Sequence, residues 1–455
     1  MTLDHPPHAA ITIAEFCAGL TLRDIPADVL GLARTCIIDT VAVAAFGSAF
    51  PWSQAVARYA LAYGQPGPCA LLGMSARVQA PFAALANGTF AHAFEQDSLR
   101  KPGAGVHPGA ALVAPALALA QERGAPGERV LLAFVAGCEA MFRIGAASLH
   151  SSEKLGFHAP GLTGPYGAAI AAGVVMGLDA RQLGDALGIA GSLSGGLLAF
   201  SAASRGAEVK RLHLGRACES GVLAARLAAE GFAGPDTVLE GKFGFLSSFC
   251  ASRDDARLTA GLGQDWETRR ICIKAYACHV TAHTPIESLR ALMLEHALTA
   301  QDIGSIELRV SGKVLSHHDI RRPADILQAQ YSVPFCVALA VHRDPDDPSA
   351  FDDEAPRDPA ILATCERIGL TAFDDGKTRS AWASRITLRT HDGRVLTREA
   401  DQFRGSPEMP LGAEALRARY QRLTAGCEPA ARDRWFEGLL RIETLVDVNS
   451  LGPLA

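Results

Sequence analysis

The chain has 455 residues, 49% of them hydrophobic and 20% charged, with a net charge of −5. That length allows two domains and a large buried core. The acidic balance, with no Lys/Arg tract interleaved with aromatic residues, argues against a nucleic-acid partner. Met1–His8 shows no basic stretch followed by an apolar one, so no secretory leader is expected. Eleven cysteines scattered from Cys17 to Cys427 suit reduced thiols packed as small hydrophobes in the cytoplasm. Two uncharged stretches, Phe157–Leu178 and Ala186–Ser204, approach membrane-spanning length. Their Gly, Ser, Thr and Pro content favours buried helices, and no membrane span is expected.

From Ala27 to about Gly263 the pattern predicts helix after helix: Val29–Phe46, Gln79–Phe94, Ala110–Arg123, Arg129–Ala147, Gly164–Met176, Ala180–Leu187 and Gly215–Glu230. They are rich in Ala and Gly and apolar on most faces, which predicts close, buried packing. The pattern changes near Trp266. Arg270–Tyr276 and Ser305–Ser311 read as strands around a helix at Pro285–His296, followed by an apolar run at Ala324–His342. Arg343–Asp358, dense in Asp and Pro, reads as a solvated loop. Ser384–Thr390 and Gly393–Arg398 form a predicted hairpin turning at Asp392-Gly393. Two amphipathic helices, Ala413–Thr424 and Pro429–Val446, end the chain and are expected to cover the helical part. The expected fold is mainly α: a large all-helical domain over 1–266, completed by helices in 403–455, with a smaller α+β domain over 267–402.

Four segments concentrate titratable residues. The first, Ala91–Gly109, carries Glu95, Asp97, Arg100, Lys101 and His107 on a Gly/Pro-rich loop after a helix. The second, Gly156–Gly164, carries His158 ahead of an apolar helix whose start offers backbone N–H groups to an anion. The third, Ala203–Ala217, crowds Lys210, Arg211, His213 and Arg216 behind nineteen uncharged residues, Ala186–Ser204. A lysine beside such a segment needs an anionic partner, and a carboxylate substrate is one. The fourth, Lys274–His283, adds Lys274, Tyr276 and His283 at the end of a predicted strand. Together they supply His107 and His158 as acid/base candidates, Lys210 and Lys274 to hold carboxylates, and a carboxylate to orient one imidazole. Lys101, Tyr276 and His283 are candidate substrate contacts.

Plainer readings stand beside these. His107, before Pro108, and His158, before Pro160, could each cap a helix. Lys274 could be an edge-strand charge, and the third segment a solvated helix start. Cys272, Cys278, His279 and His283 suggest a metal, but their spacing fits no zinc pattern, and no metal is expected. No phosphate loop, dinucleotide fingerprint or nucleophile elbow occurs.

Asn87-Gly-Thr-Phe-Ala-His92, His107-Pro-Gly, Gly156-Phe-His158, the run from Gly164 through Gly177-Leu-Asp-Ala-Arg-Gln-Leu, Lys210-Arg-Leu-His-Leu-Gly-Arg-Ala, Lys274-Ala-Tyr-Ala-Cys and Arg404-Gly-Ser-Pro-Glu-Met-Pro follow in that order. In this the chain resembles the MmgE/PrpD family over nearly its whole length. The resemblance implies a cofactor-free homodimer with an all-helical domain, an α+β lid and an active site in the cleft between them. It assigns His107 and His158 as the acid/base pair, Asp97 as the match to an acidic run, and Lys210 and Lys274 as carboxylate contacts. Departures at Glu95-Gln-Asp-Ser98 and at Phe335 are expected to touch substrate contacts.

The expected activity is a cofactor-independent lyase or isomerase on a small di- or tricarboxylate, abstracting a proton next to a carboxylate, in the manner of 2-methylcitrate dehydratase. Iminodisuccinate-type epimerisation and cis-aconitate-type decarboxylation need nearly the same groups. A non-catalytic carboxylate-binding protein is the alternative from another class.

Overall fold

Helices built largely from Ala, Gly, Val and Leu present little bulk, so their axes can approach closely. The computed structural model describes residues 8–103, 105–202, 208–374 and 376–455. Its N-terminal part comprises α1 (Ala9–Gly19), α2 (Ala27–Gly47), α3 (Pro51–Tyr63), α4 (Ala80–Ala91), α5 (Pro108–Arg123), α6 (Gly127–Ala147), α7 (Ala159–Met176), α8 (Ala180–Ser192) and α9 (Val209–Ala229). Every residue of α7 from Ala159 to Val175 is buried, as expected of a helix apolar on all faces. Helices α2 and α6 are long and apolar enough to cross a membrane, yet most of each is buried in this core.

Three boundaries differ from expectation in ways that shape the site. α7 starts at Ala159, because Pro160 in its first turn is already set at a helical φ. α9 starts at Val209, so Lys210, Arg211 and His213 ride on its first turns; Ala203–Ala207, the start of the third segment, lies outside the described residues. α4 stops at Ala91 instead of Phe94, releasing the chain at His92.

The predicted strand over Arg270–Tyr276 contracts to β4 (Ile271–Cys272), which pairs antiparallel with β3 (Leu99–Arg100), as β1 (Cys69–Ala70) does with β2 (Arg77–Val78). Beyond it the Ile273 N–H donates to the Gly405 carbonyl, so the Arg404–Pro410 turn captures the backbone that a longer ladder would need. A side chain at Gly405 would meet the Ile273 carbonyl oxygen at 2.1 Å.

The smaller part is α+β. Strands β5 (Ile303–Val310), β6 (Ile368–Ala372), β7 (Ser384–Thr390) and β8 (Val395–Ala400) form one sheet in the order β6-β5-β7-β8. β6, absent from the sequence reading, runs parallel to β5, and the expected β7–β8 hairpin turns with Gly393 at φ +88°. Helices α11 (His283–Glu295), α13 (Ile326–Tyr331), α14 (Val333–His342) and α15 (Pro359–Glu366) belong to this part, after the short α10 (Phe245–Phe249) and with α12 (Gly312–His317) between α11 and α13. Its own apolar core includes Ile286, Leu289, Leu308, Val337 and Ile386.

The chain then returns. Tyr420 and Leu423 of α16 (Ala413–Leu423), with Trp435 and Leu439 of α17 (Pro429–Leu440), join the core that holds Ile37 and Val41 of α2. α17 ends before the expected Val446 and gives way to a short turn at Ile442–Thr444.

Close packing leaves no room at Gly221 of α9, where an added Cβ would fall 2.3 Å from the Ala168 Cβ of α7 and 2.5 Å from its carbonyl carbon. Gly221→Ala is expected to destabilise the protein by about 1–3 kcal/mol through overpacking against backbone that cannot yield. A urea midpoint unchanged from wild type would contradict this packing.

Candidate functional site

The release of the chain at His92 builds the floor of the site. Glu95 takes a left-handed φ of +56°, rare outside Gly and Asn, and such strain persists only where surroundings hold it. The surroundings are visible. Arg211 donates from Nε to the Ala93 carbonyl at 2.8 Å, and Gln330 of α13 donates to the Phe94 carbonyl at 3.1 Å. The Ser98 hydroxyl accepts from the Gly109 N–H at 3.0 Å, tying the loop to the first turn of α5. Arg419 of α16, anchored on buried Asp39 at 2.6 Å, reaches the Gln96 carbonyl at 3.2 Å and the Ala275 carbonyl at 3.5 Å.

Both candidate histidines sit at helix starts, His107 at the N-cap of α5 and His158 at the N-cap of α7, and neither side chain caps its helix. The imidazoles turn toward the loop instead. Nδ1 of His92 and Nδ1 of His107 each lie 2.8 Å from Oδ2 of Asp97. The His158 ring lies 6.2 Å from that of His92, and its Nδ1 is 2.8 Å from Nδ1 of His213.

Two ammonium groups close the arrangement. Lys210, from the first turn of α9, contacts Oε1 of Glu95, and Lys274, just past β4, lies 2.9 Å from Oε2. The β3–β4 ladder produces this meeting, because it fastens the strand before Lys274 to the strand after Asp97. A cation in the first turn of a helix opposes the helix dipole, so Lys210 depends on its carboxylate partner. The Tyr331 ring of α13 covers it, with Nζ 4.9 Å from the ring centre.

The group is nearly dry: His107 is 7% exposed, His158 6%, Lys210 4% and Lys274 2%. Burial therefore dominates its electrostatics. It pulls His92 down to about 3 and His158 well below the usual histidine value, so both rings are neutral at pH 7. Burial also works against the Asp97 anion, but His92 and His107 overcome it and hold the carboxyl well below the usual range. Burial, then the neighbouring Lys274 charge, lowers Lys210 well below ordinary lysine; burial lowers Lys274 as well.

The structure thus brings together His107, His158, Asp97, Lys210 and Lys274. It places the other three candidates elsewhere. Lys101 bonds Glu408 at 2.8 Å in a separate cleft of about 610 Å³ lined also by Trp266 and Trp382. Tyr276 turns into the core of the smaller part, its hydroxyl on Glu287 at 2.5 Å, and His283 packs against Tyr276 and Phe403. Both residues lie past the end of β4, where the chain no longer follows a strand: Lys274 contacts Glu95, while Tyr276 joins the apolar core that holds Ile286 and Leu289 of α11. Phe335, expected to touch substrate, is likewise a fully buried member of that core.

Glu95, His92, His213, Tyr331 and Arg419 complete the site without having been chosen from sequence. Glu95 and His213 lay inside the titratable segments, whereas Arg419 looked like one more charge on an amphipathic helix. His92, Asp97 and His107 offer ligand atoms within 4.8 Å of one another, the only such trio found among the described residues. Nδ1 of His92 hydrogen-bonds Oδ2 of Asp97, and Nδ1 of His107 lies 2.8 Å from the same oxygen, outside hydrogen-bond alignment. Cys272 and Cys278 of the other candidate metal set pack in separate apolar clusters.

The arrangement is a buried cluster of imidazoles and paired ammonium groups around a carboxylate-bearing loop, suited to proton transfer beside an anion. Residues 11–257 match the MmgE/PrpD N-terminal domain and residues 276–440 the MmgE/PrpD C-terminal domain. The chain is 30% identical to a cis-aconitate decarboxylase of Aspergillus terreus over 96% of its own length and 94% of that protein. It is 26% identical to the cis-aconitate decarboxylase of Homo sapiens over 89% of its length and 85% of that protein. From its helical core to the turn at Arg404, this chain belongs to the MmgE/PrpD family.

Proposed function

We propose that the protein is a lyase that needs no resident cofactor and acts on a small polycarboxylate by proton transfer at a carbon next to a carboxylate, with cis-aconitate-type decarboxylation as the net reaction. The carrying observation is the meeting of His107, His158, Lys210 and Lys274 around the Glu95–Asp97 loop. The decarboxylase relatives favour loss of CO₂ over loss of water.

In this reading the lysines take the substrate carboxylates and the negative charge that spreads into them as the C–C bond to the departing carboxylate breaks. In so dry a site such charges are worth far more than in water. One imidazole then delivers a proton to the carbon that held the carboxylate. Asp97 stands beside Nδ1 of His107, while among the described residues His158 has no carboxylate partner of its own. We further propose that the protein works as a homodimer in the cytoplasm.

Incubation with cis-aconitate in D₂O should release CO₂ and leave deuterium at one carbon of the dicarboxylate product, read by NMR. Water loss from 2-methylcitrate, or deuterium exchange in iminodisuccinate without CO₂, would assign the dehydratase or the epimerase reaction instead. No turnover or exchange with any of these acids would leave only carboxylate binding.

His107→Ala and His158→Ala should each lower kcat at least about 10²-fold while the circular dichroism spectrum is retained; near-normal turnover in both would overturn the assignment. Glu95→Gln strands two buried ammonium groups. It should cost about 3–5 kcal/mol of stability and lower kcat/KM at least about tenfold, measured by urea unfolding and initial rates.

The neutral imidazoles also set acid stability. Burial holds His92 at about 3 and His318 at about 4, with His158 and His279 well below 6.5. Below pH 6.5 the unfolded chain binds protons that these rings refuse when folded. Stability should therefore fall from about pH 6.5 toward 4, by up to about 1.4 kcal/mol per pH unit per histidine. A melting temperature that is flat or rising from pH 6.5 to 5 would contradict this.

A further inference from the structure

Loss of CO₂ from a carboxylate consumes one proton per turnover, and the ring facing the reacting carbon is sealed from solvent. His107 has Asp97 behind it, but His158 has another imidazole behind it: its Nδ1 lies 2.8 Å from Nδ1 of His213. His213 follows Lys210 by three residues on α9, so the two project from one face of that helix. Where His158 is buried, His213 is half-buried. The His213 ring is held in place: a Cβ at Gly196 would lie 3.2–3.4 Å from it, and Phe200 rests 6.0 Å away.

We infer that His213 is a proton carrier that recharges His158 during the reaction and fixes which nitrogen of His158 faces the substrate as an acid; this rests on the proposed lyase reading.

Two facing Nδ1 atoms can share only one proton between neutral rings, so the tautomers are complementary. With the proton on Nδ1 of His213, His158 must carry its own on Nε2. In a turnover a solvent proton adds at Nε2 of His213, the Nδ1 proton of His213 passes to Nδ1 of His158, and the Nε2 proton of His158 goes to carbon as the electron pair of the broken C–C bond closes on it. One proton enters for each CO₂ that leaves. When product departs, water reaching His158 supplies a proton to Nε2, its Nδ1 proton returns to His213, and His213 releases its Nε2 proton, with no net change. Both rings start neutral: burial lowers His158 and His213, and the Lys210 charge lowers His213 further.

The test is chemical rescue. On cis-aconitate in dilute buffer, His213→Ala and His213→Gln should lose at least about tenfold in kcat with KM changed less than about threefold. Added imidazole should restore His213→Ala saturably while leaving the wild type unaffected. Wild-type kcat in both variants, or a loss that imidazole does not restore in a variant with unchanged melting temperature, overturns the proposal. Should the wild type itself turn over no polycarboxylate, the lyase reading fails separately. The imidazole link is then read in ¹⁵N-histidine-labelled protein, with His158 assigned through His158→Ala. His213→Gln should shift the His158 Nδ1 and Nε2 resonances, and an unshifted pair would overturn the link as well.

Discussion

The structure turns on one buried carboxylate placed between two buried ammonium groups. Glu95 contacts Lys210 from α9 and Lys274 from the end of β4, and each partner would be costly in this dry setting without the others. The requirement propagates outward. Glu95 must leave α4 in a left-handed conformation to reach both lysines, and that conformation must be held by Arg211, Gln330 and Arg419 on neighbouring carbonyls. Those three side chains come from the helical part, the smaller part and the C-terminal helices respectively, which is why the chain returns to its starting core before it ends.

The helical scaffold supplies precision of another kind. Starting α5 and α7 with proline at the first or second position fixes where each helix begins, and so fixes the residue just before it. His107 and His158 occupy those positions, and their rings are free to face the loop because neither is used as a cap. Ala and Gly stripes on α7 and α9 let these helices approach closely enough for His158 and His213 to touch.

Much of this was legible in the sequence. The Ala/Gly-rich helices, the hairpin at Asp392-Gly393 and the four titratable segments are local signals of composition and turn chemistry. What was not legible depends on distant partners. The strand expected over Arg270–Tyr276 shortened because Gly405 takes its backbone, more than a hundred residues later. Glu95 stood in a titratable segment, yet nothing local announces a left-handed φ in glutamate or the two lysines that meet it. Phe335 was expected at the substrate because it departs from the family pattern, but a departure in an apolar run does not say which face of the helix bears it, and Phe335 lies in the core. Arg419 carries no signal in its own helix; its meaning is set by Asp39, Gln96 and Ala275.

The part bearing β5 to β8 meets the site through α13. Gln330 fixes a carbonyl of the loop, Tyr331 covers Lys210, and His279 stacks on His318 at 4.1 Å, while the imidazoles at the N-caps and Lys210 come from the helical part. The groups that could move protons and the side chains that cover them thus belong to separate stretches of chain, so a substitution at Gln330 or Tyr331 would change the cover of Lys210 while leaving the N-cap imidazoles in place.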